Sequence, residues 1–145
     1  MSMQIRAFRK EDELVVVALW KECELTRPWN DPHQDIARKL KVQPELFLVG
    51  VVDEQVIATV MAGYEGHRGW VNYLAVAKRF RGRGYGRVLM QHVEQRLLER
   101  GCPKLNLQVR TSNPQAIEFY RRIGYEQDEA VSLGKRLISD RLPEK

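Results

Sequence analysis

The residues best suited to chemistry are Arg81-Gly82-Arg83-Gly84-Tyr85-Gly86. Glycine lets backbone approach a ligand closely, and the segment runs into a helical pattern whose first-turn N–H groups and dipole favour an anion. Lys78, Arg79, Arg81, Arg83 and Arg87 add five positive charges within ten residues. A phosphate group fits such a turn. Spacing sets two familiar phosphate loops aside: a dinucleotide fingerprint is GxGxxG after the first strand with an acid about 20 residues on, and a Walker loop is GxxxxGK[ST]. The remaining alternative is a flexible turn beside a solvated basic face.

The elements around this turn follow from periodicity. Upstream, Trp70 to Val76 reads as a strand whose run Tyr73-Leu74-Ala75-Val76 is buried on both faces. Downstream, Val88, Leu89, Val93 and Leu97 make a helical stripe that stops at Gly101 with Pro103 beyond. Leu105 to Val109 alternates as a strand, and Asn113-Pro114 supplies an N-cap and a first-turn proline for a helix reaching about Ile123. Before the turn, Ile5 to Phe8 reads as a strand, Glu11 to Glu24 as an amphipathic helix, and Ile36 and Leu40 mark a second short helix. Phe47 to Val52 and Val56 to Tyr64 form a hairpin. Tyr125 onward and Val131 to Leu137 are expected to supply one or two closing strands. The resulting α/β fold has a mixed sheet, antiparallel on its N-terminal side and parallel in its centre, flanked by about four helices.

Composition bounds the function classes. The 145 residues suit one domain, 1–145, and the 43% hydrophobic and 30% charged content is ordinary for a globular chain. The net charge of +5 matches the five charges at the turn. Tyr85 is the only aromatic inside the turn itself, a poor base-stacking platform, so no nucleic-acid partner is expected. The longest unbroken apolar run, Leu14 to Trp20, is far below the roughly 20 residues of a membrane span. With no signal-like start, no membrane association and a cytoplasmic location are expected. Cys23 and Cys102 form no CxxC and have no histidine at ligand spacing, so neither a metal nor a disulfide is expected.

The order Tyr73-Leu74-Ala75-Val76, Arg81-x-x-Gly84-x-Gly86, Asn113, Tyr120 and Gly124-Tyr125 resembles the acetyl-CoA-binding signature of the GNAT superfamily of N-acetyltransferases. The Arg27-Pro28-Trp29-Asn30-Asp31-Pro32 loop and the Gly101-Cys102-Pro103-Lys104 turn are also similar to small bacterial acetyltransferases. The resemblance implies a splay between strands four and five that admits the pantetheine arm along Leu74, Ala75 and Val76. Pyrophosphate would sit on Arg81, Gly82, Arg83, Gly84, Tyr85, Gly86 and Arg87, with Asn113 touching the arm or simply capping its helix.

The implied reaction is direct attack of a primary amine, on a small molecule or a protein or peptide, on the thioester of acetyl-CoA in a ternary complex. The Leu74 N–H would hold the oxyanion and Tyr120 would serve as general acid; its alternative is a core aromatic. Trp29 and Asp31 would form the acceptor wall, an indole and a carboxylate suiting a cationic amine; a turn whose Trp29 plugs the core is the competing reading. The positions where relatives carry a basic carboxylate hold Trp70 and Gln108, leaving Glu65 as the nearest carboxylate in sequence and Tyr73 as an outside candidate. A non-catalytic acyl-CoA-binding regulatory module is the alternative function that this gap supports. A homodimer is carried as an assembly consistent with the reading.

Overall fold

The structure, a computed structural model, describes residues 2–141. Its elements are β1 (Gln4–Ala7), α1 (Glu13–Glu22), α2 (Pro32–Lys39), β2 (Phe47–Val52), β3 (Gln55–Tyr64), β4 (Gly69–Val76), α3 (Tyr85–Glu99), β5 (Leu105–Leu107) and α4 (Pro114–Arg122), with short 3₁₀ turns before α1, β2 and α3. The five strands lie in the order β1-β2-β3-β4-β5. The first three pairings are antiparallel and β4–β5 is parallel.

Local sequence explains most boundaries. Asp53 and Glu54 both take positive φ, the conformation that a two-residue hairpin between right-twisted strands requires. Asp31 caps α2, its carboxylate accepting from the His33 N–H at 2.9 Å, with Pro32 at the first helical position. Asn113 and Pro114 repeat that arrangement on α4, where the Asn113 side chain accepts from the Ala116 N–H at 3.1 Å.

The core fills both sides of the sheet. Thr59 and Gly63, at alternate positions of β3, face α1 and α2: Trp20 Nε1 donates to Thr59 Oγ1 at 2.9 Å, and the side of Gly63 meets Lys39 and Gln43. Ala58, Val60 and Ala62 point the other way and are also buried, covered by the Leu89, Met90, Val93 and Leu97 face of α3. Phe8 stacks on Phe47 at 4.4 Å between ring centroids, and Trp20 stacks on Tyr73 at 3.8 Å.

The expected closing strands are absent among the described residues. After α4 the chain from Tyr125 to Leu137 makes no strand and runs beside β5, tied to it through side chains. Lys104 and Asn106 both donate to Asp128, each at 2.7 Å, and Gln108 bonds to Ser132. Val131, Leu133 and Leu137 stay exposed. Apolar alternation there is real, but it has no sheet edge to pair with, because β5 ends at Leu107 rather than Val109.

Candidate active site

The site is organised by one irregularity in β4. Thr59 pairs with Ala75 and Met61 with Asn72, so two steps on β3 face three on β4 and one extra residue is inserted. The insertion falls at Tyr73, which takes φ +54°. Strict alternation would send Tyr73 to the same face as Gly69, where a Cβ would meet Leu97 and Cys102. The bulge turns it over instead. Tyr73 stacks on Trp20 of α1, its carbonyl accepts from Thr59 Oγ1 at 2.8 Å, and its hydroxyl donates to Asp35 Oδ2 of α2 at 2.6 Å.

Past the bulge, β4 and β5 part. They pair only from Gly69–Leu105 to Val71–Leu107, while β4 continues five residues to Val76. Ala77 N–H bonds to Ile57 of β3 at 2.8 Å, so alternation turns the N–H groups of Val76 and Leu74 toward the open side. Backbone groups left beside an unfilled gap need partners, and an amide-bearing arm laid there as an added strand would supply them. The Val76 carbonyl is already taken, by Arg81 Nε at 3.1 Å and Cys23 Sγ at 3.5 Å.

The basic turn continues from that strand end. Gly82 and Gly84 both adopt left-handed φ, and a Cβ on either would meet nothing within 4 Å, so conformation requires glycine there and open space surrounds it. Gly84 is the N-cap of the 15-residue α3 and has no side chain to cap it, so the positive end of the helix dipole faces the turn and favours an anion there. Gly86 has a different role. A Cβ there would press on Phe119 of α4 at 3.2 Å, so its smallness lets α4 approach α3. Arg79 and Arg83 both lie over the Phe80 ring, each 5.1 Å from its centroid. Arg81 is drawn back to β4 and to Cys23 Sγ at 3.3 Å, while Arg87 is exposed on the first turn of α3.

Tyr120 sits on α4 against the edge of the core. Its ring meets Phe119 and Tyr125 edge-on at 5.1 and 5.8 Å. Burial pushes its hydroxyl up to about 12, so it is protonated at neutral pH. Tyr125 is tied to α3 through Glu94 at 2.5 Å. The Asn113 side chain is occupied as the cap described above.

The loop expected to form the acceptor wall differs from expectation in detail. Trp29 is 40% exposed and does not plug the core; its ring lies under the Arg110 guanidinium at 5.6 Å, linking the α1–α2 loop to the segment after β5. The Asp31 carboxylate is spent on capping α2, and Asp35, one turn on, presents the carboxylate beside β4. A further carboxylate, Asp140, holds this wall from the far end of the chain. It accepts from the Asp31 N–H at 2.9 Å, from Arg38 at 2.5 Å and from Arg136 at 2.8 Å. Arg136 also bonds to Asn30. Those donors hold the Asp140 carboxyl far below the usual range. Asp35, Arg136 and Asp140 escaped the sequence reading, and Tyr73 entered it only as an outside candidate for the base; the Asp35–Arg38 spacing on one helix face was the signal available for the first.

Glu65 is not brought to this place. Its carboxylate caps the β3–β4 turn, accepting from the His67 N–H at 2.7 Å and from the Arg68 N–H, which lowers its pKa. It lies beyond Gly69, at the end of β4 still closed by β5, and Gly69 is itself five strand residues, about 16 Å, from Leu74. Trp70 is exposed on β4, and Gln108 is engaged with Ser132. Among the described residues no group of three or more acidic, histidine or cysteine side chains is placed to hold a metal ion, and no helix is long and apolar enough to cross a membrane.

A parallel pair that parts, with open strand backbone beside the gap and a glycine turn leading into a helix N-terminus, suits an acyl carrier. The chain belongs to the acetyltransferase (GNAT) family, whose family model matches residues 14–125. It is 49% identical over 139 residues, 96% of this chain and 99% of the other, to an acetyltransferase of Pectobacterium atrosepticum. Ard1 from Thermoplasma volcanium superposes with a TM-score of 0.74 at 28% identity, covering 86% of this chain and 82% of that one. AAC(6')-Iy, solved with the bisubstrate analogue CoA-S-monomethyl-acetylneamine, has the same fold at 18% identity, with a TM-score of 0.76 over 95% of this chain and 100% of its own. The protein is therefore a GNAT acetyltransferase that uses acetyl-CoA.

Proposed function

We propose that the chain transfers the acetyl group to a primary amine, of a small molecule or of a protein or peptide, by direct attack in a ternary complex. The observation that carries this reading is the gap after Val71 and Leu107, with the Leu74 and Val76 N–H groups turned into it and the Gly84 turn at its end. The arm runs along Leu74, Ala75 and Val76, and the pyrophosphate rests on the turn from Arg81 to Arg87. The Leu74 N–H receives the oxygen on which charge develops. Cys23 Sγ is engaged with the Val76 carbonyl and Arg81, and Cys102 Sγ with the Lys104 carbonyl, and direct attack uses neither thiol as an acetyl carrier.

Tyr120 faces the leaving sulfur in this reading. A phenol near 12 gives a proton uphill to a thiolate whose acid lies near 8.5. Its contribution is therefore a hydrogen bond that strengthens as charge collects on sulfur, with the proton following as the C–S bond breaks.

Two measurements test the reading. Acetyl-CoA at a hundredfold excess over its Kd should add roughly 2.7 kcal/mol, raising the melting temperature by about 5–10 °C for a chain of this size. A panel of spermidine, glucosamine, a lysyl peptide and peptides with free α-amines should show CoA-thiol release for at least one acceptor. Binding of acetyl-CoA without any turnover would reject the amine-transfer reading.

A further inference from the structure

We propose that Asp35 is the carboxylate that receives the cationic head of the acceptor amine and takes the proton its nitrogen sheds, with Tyr73 as its positioning residue. This assignment rests on the amine-transfer reading above, since it is measured from Leu74.

The geometry is unusually constrained. Tyr73 directly precedes Leu74, and the bulge sends its ring across the α1 face rather than along the strand. Three contacts then fix that ring: the Trp20 stack at 3.8 Å, the Thr59 bond to its carbonyl at 2.8 Å, and the Asp35 bond to its hydroxyl at 2.6 Å. Thr59 is itself locked by Trp20 Nε1. The Asp35 carboxylate is thereby held one tyrosine length from the oxyanion donor. Burial, then the Asp35 carboxylate, raises the Tyr73 pKa, so the hydroxyl is a donor to Asp35 and not its competitor for a proton.

Asp35 keeps its charge available. Its cationic neighbour Arg38 reaches it through one long contact of 3.3 Å but gives both guanidinium nitrogens to Asp140, at 2.5 and 3.2 Å. The Asp35 side chain retains 25% exposure, enough for an incoming group to reach it. Asp31, on the same helix end, is spent as the cap. A cationic amine of modest size thus meets one partly desolvated carboxylate next to the point of attack.

The proton and electron balance is simple. The ammonium docked on Asp35 first passes one proton through that carboxylate to water, which frees the nitrogen lone pair. As the nitrogen bonds to the thioester carbon, the carbonyl electron pair moves to oxygen and is held by the Leu74 N–H. Nitrogen, now far more acidic than a free ammonium, loses its second proton to water. The carbonyl re-forms as the C–S bond breaks, and the departing thiolate takes a proton from Tyr120, which water restores.

The test compares two acceptors in one enzyme: the fastest alkylamine of the panel, which is an ammonium at pH 7, and its aminooxy analogue, which is neutral there. Asp35→Asn should cut kcat/KM for the alkylamine by roughly 10²-fold or more and for the aminooxy analogue by less than about threefold, with acetyl-CoA affinity by calorimetry unchanged. Tyr73→Phe keeps the Trp20 stack and should cost the alkylamine about tenfold with the same sparing of the analogue. Equal losses on both acceptors, or no loss on either, would overturn the assignment while leaving amine transfer in place. An unmodified protein that binds acetyl-CoA yet acetylates neither acceptor would overturn amine transfer itself, and Asp35 with it.

Discussion

Chemistry at the scale of single residues separates what side-chain type reveals from what only a turned backbone reveals. Tyr120→Phe removes one hydroxyl and keeps the edge-on contacts with Phe119 and Tyr125, so turnover should fall roughly 10²–10³-fold while acetyl-CoA affinity and melting temperature barely move. Steady-state rates decide it, and a loss under threefold would return Tyr120 to the core. Tyr120 was reached through a resemblance, since its position after the basic turn matches a family pattern, and the Phe variant is what decides its role. The Tyr73–Asp35 pair was not. Alternation assigns Tyr73 to the face of Gly69, and a single inserted residue with φ +54° reverses that assignment. Periodicity of two carries no trace of an insertion until the register with the neighbouring strand is known. Glu65 misled for a related reason: it is near β4 in sequence, but at the end where β5 still closes the sheet.

At the scale of elements, the third and fourth helices were read almost to the residue because their ends are written locally, in Gly101 and Asn113-Pro114, whereas the second was placed only by Ile36 and Leu40 and its Asp31 cap went unread. Closing strands were not, since a strand exists only where an edge accepts it, and β5 offers three residues. The two glycines of the basic turn illustrate how similar sequence positions diverge. Gly84→Val places a β-branched residue at φ +81° with open space around it, so it should weaken acetyl-CoA binding at least tenfold through the turn's conformation while α3 and its packing persist. Gly86→Val instead drives a side chain into Phe119, so its first effect should be a lower melting temperature even without ligand. Calorimetry and thermal melts on the pair check both. Unchanged acetyl-CoA affinity in folded Gly84→Val protein would remove the turn from the binding site.

For the whole molecule, the sheet is assembled from sequence neighbours, strand by strand, whereas the loop proposed as the acceptor wall is held by residues far apart in the chain. Asp140 joins Asp31, Arg38 and Arg136 across as many as 109 residues. Its carboxyl is depressed from an ordinary 3.8, so the stability it adds is present above that value and drains away as pH falls toward its folded pKa. Asp140→Asn should therefore melt below the unmodified protein at pH 7, with the difference narrowing under pH 4, and should raise KM for the acceptor without changing acetyl-CoA affinity. Melting curves from pH 7 to pH 2 with both proteins give the comparison, and parallel curves would rule the network out as a source of acid sensitivity. That long closure also imposes a chronology. During synthesis from the first residue onward, the hairpins, the bulge and the basic turn all leave the ribosome before Arg136 and Asp140 exist. A nascent chain therefore has its hairpin, bulge and basic turn in the open while the Asp31 loop is still unbraced, and the brace on that loop arrives last, with the codons for Arg136 and Asp140.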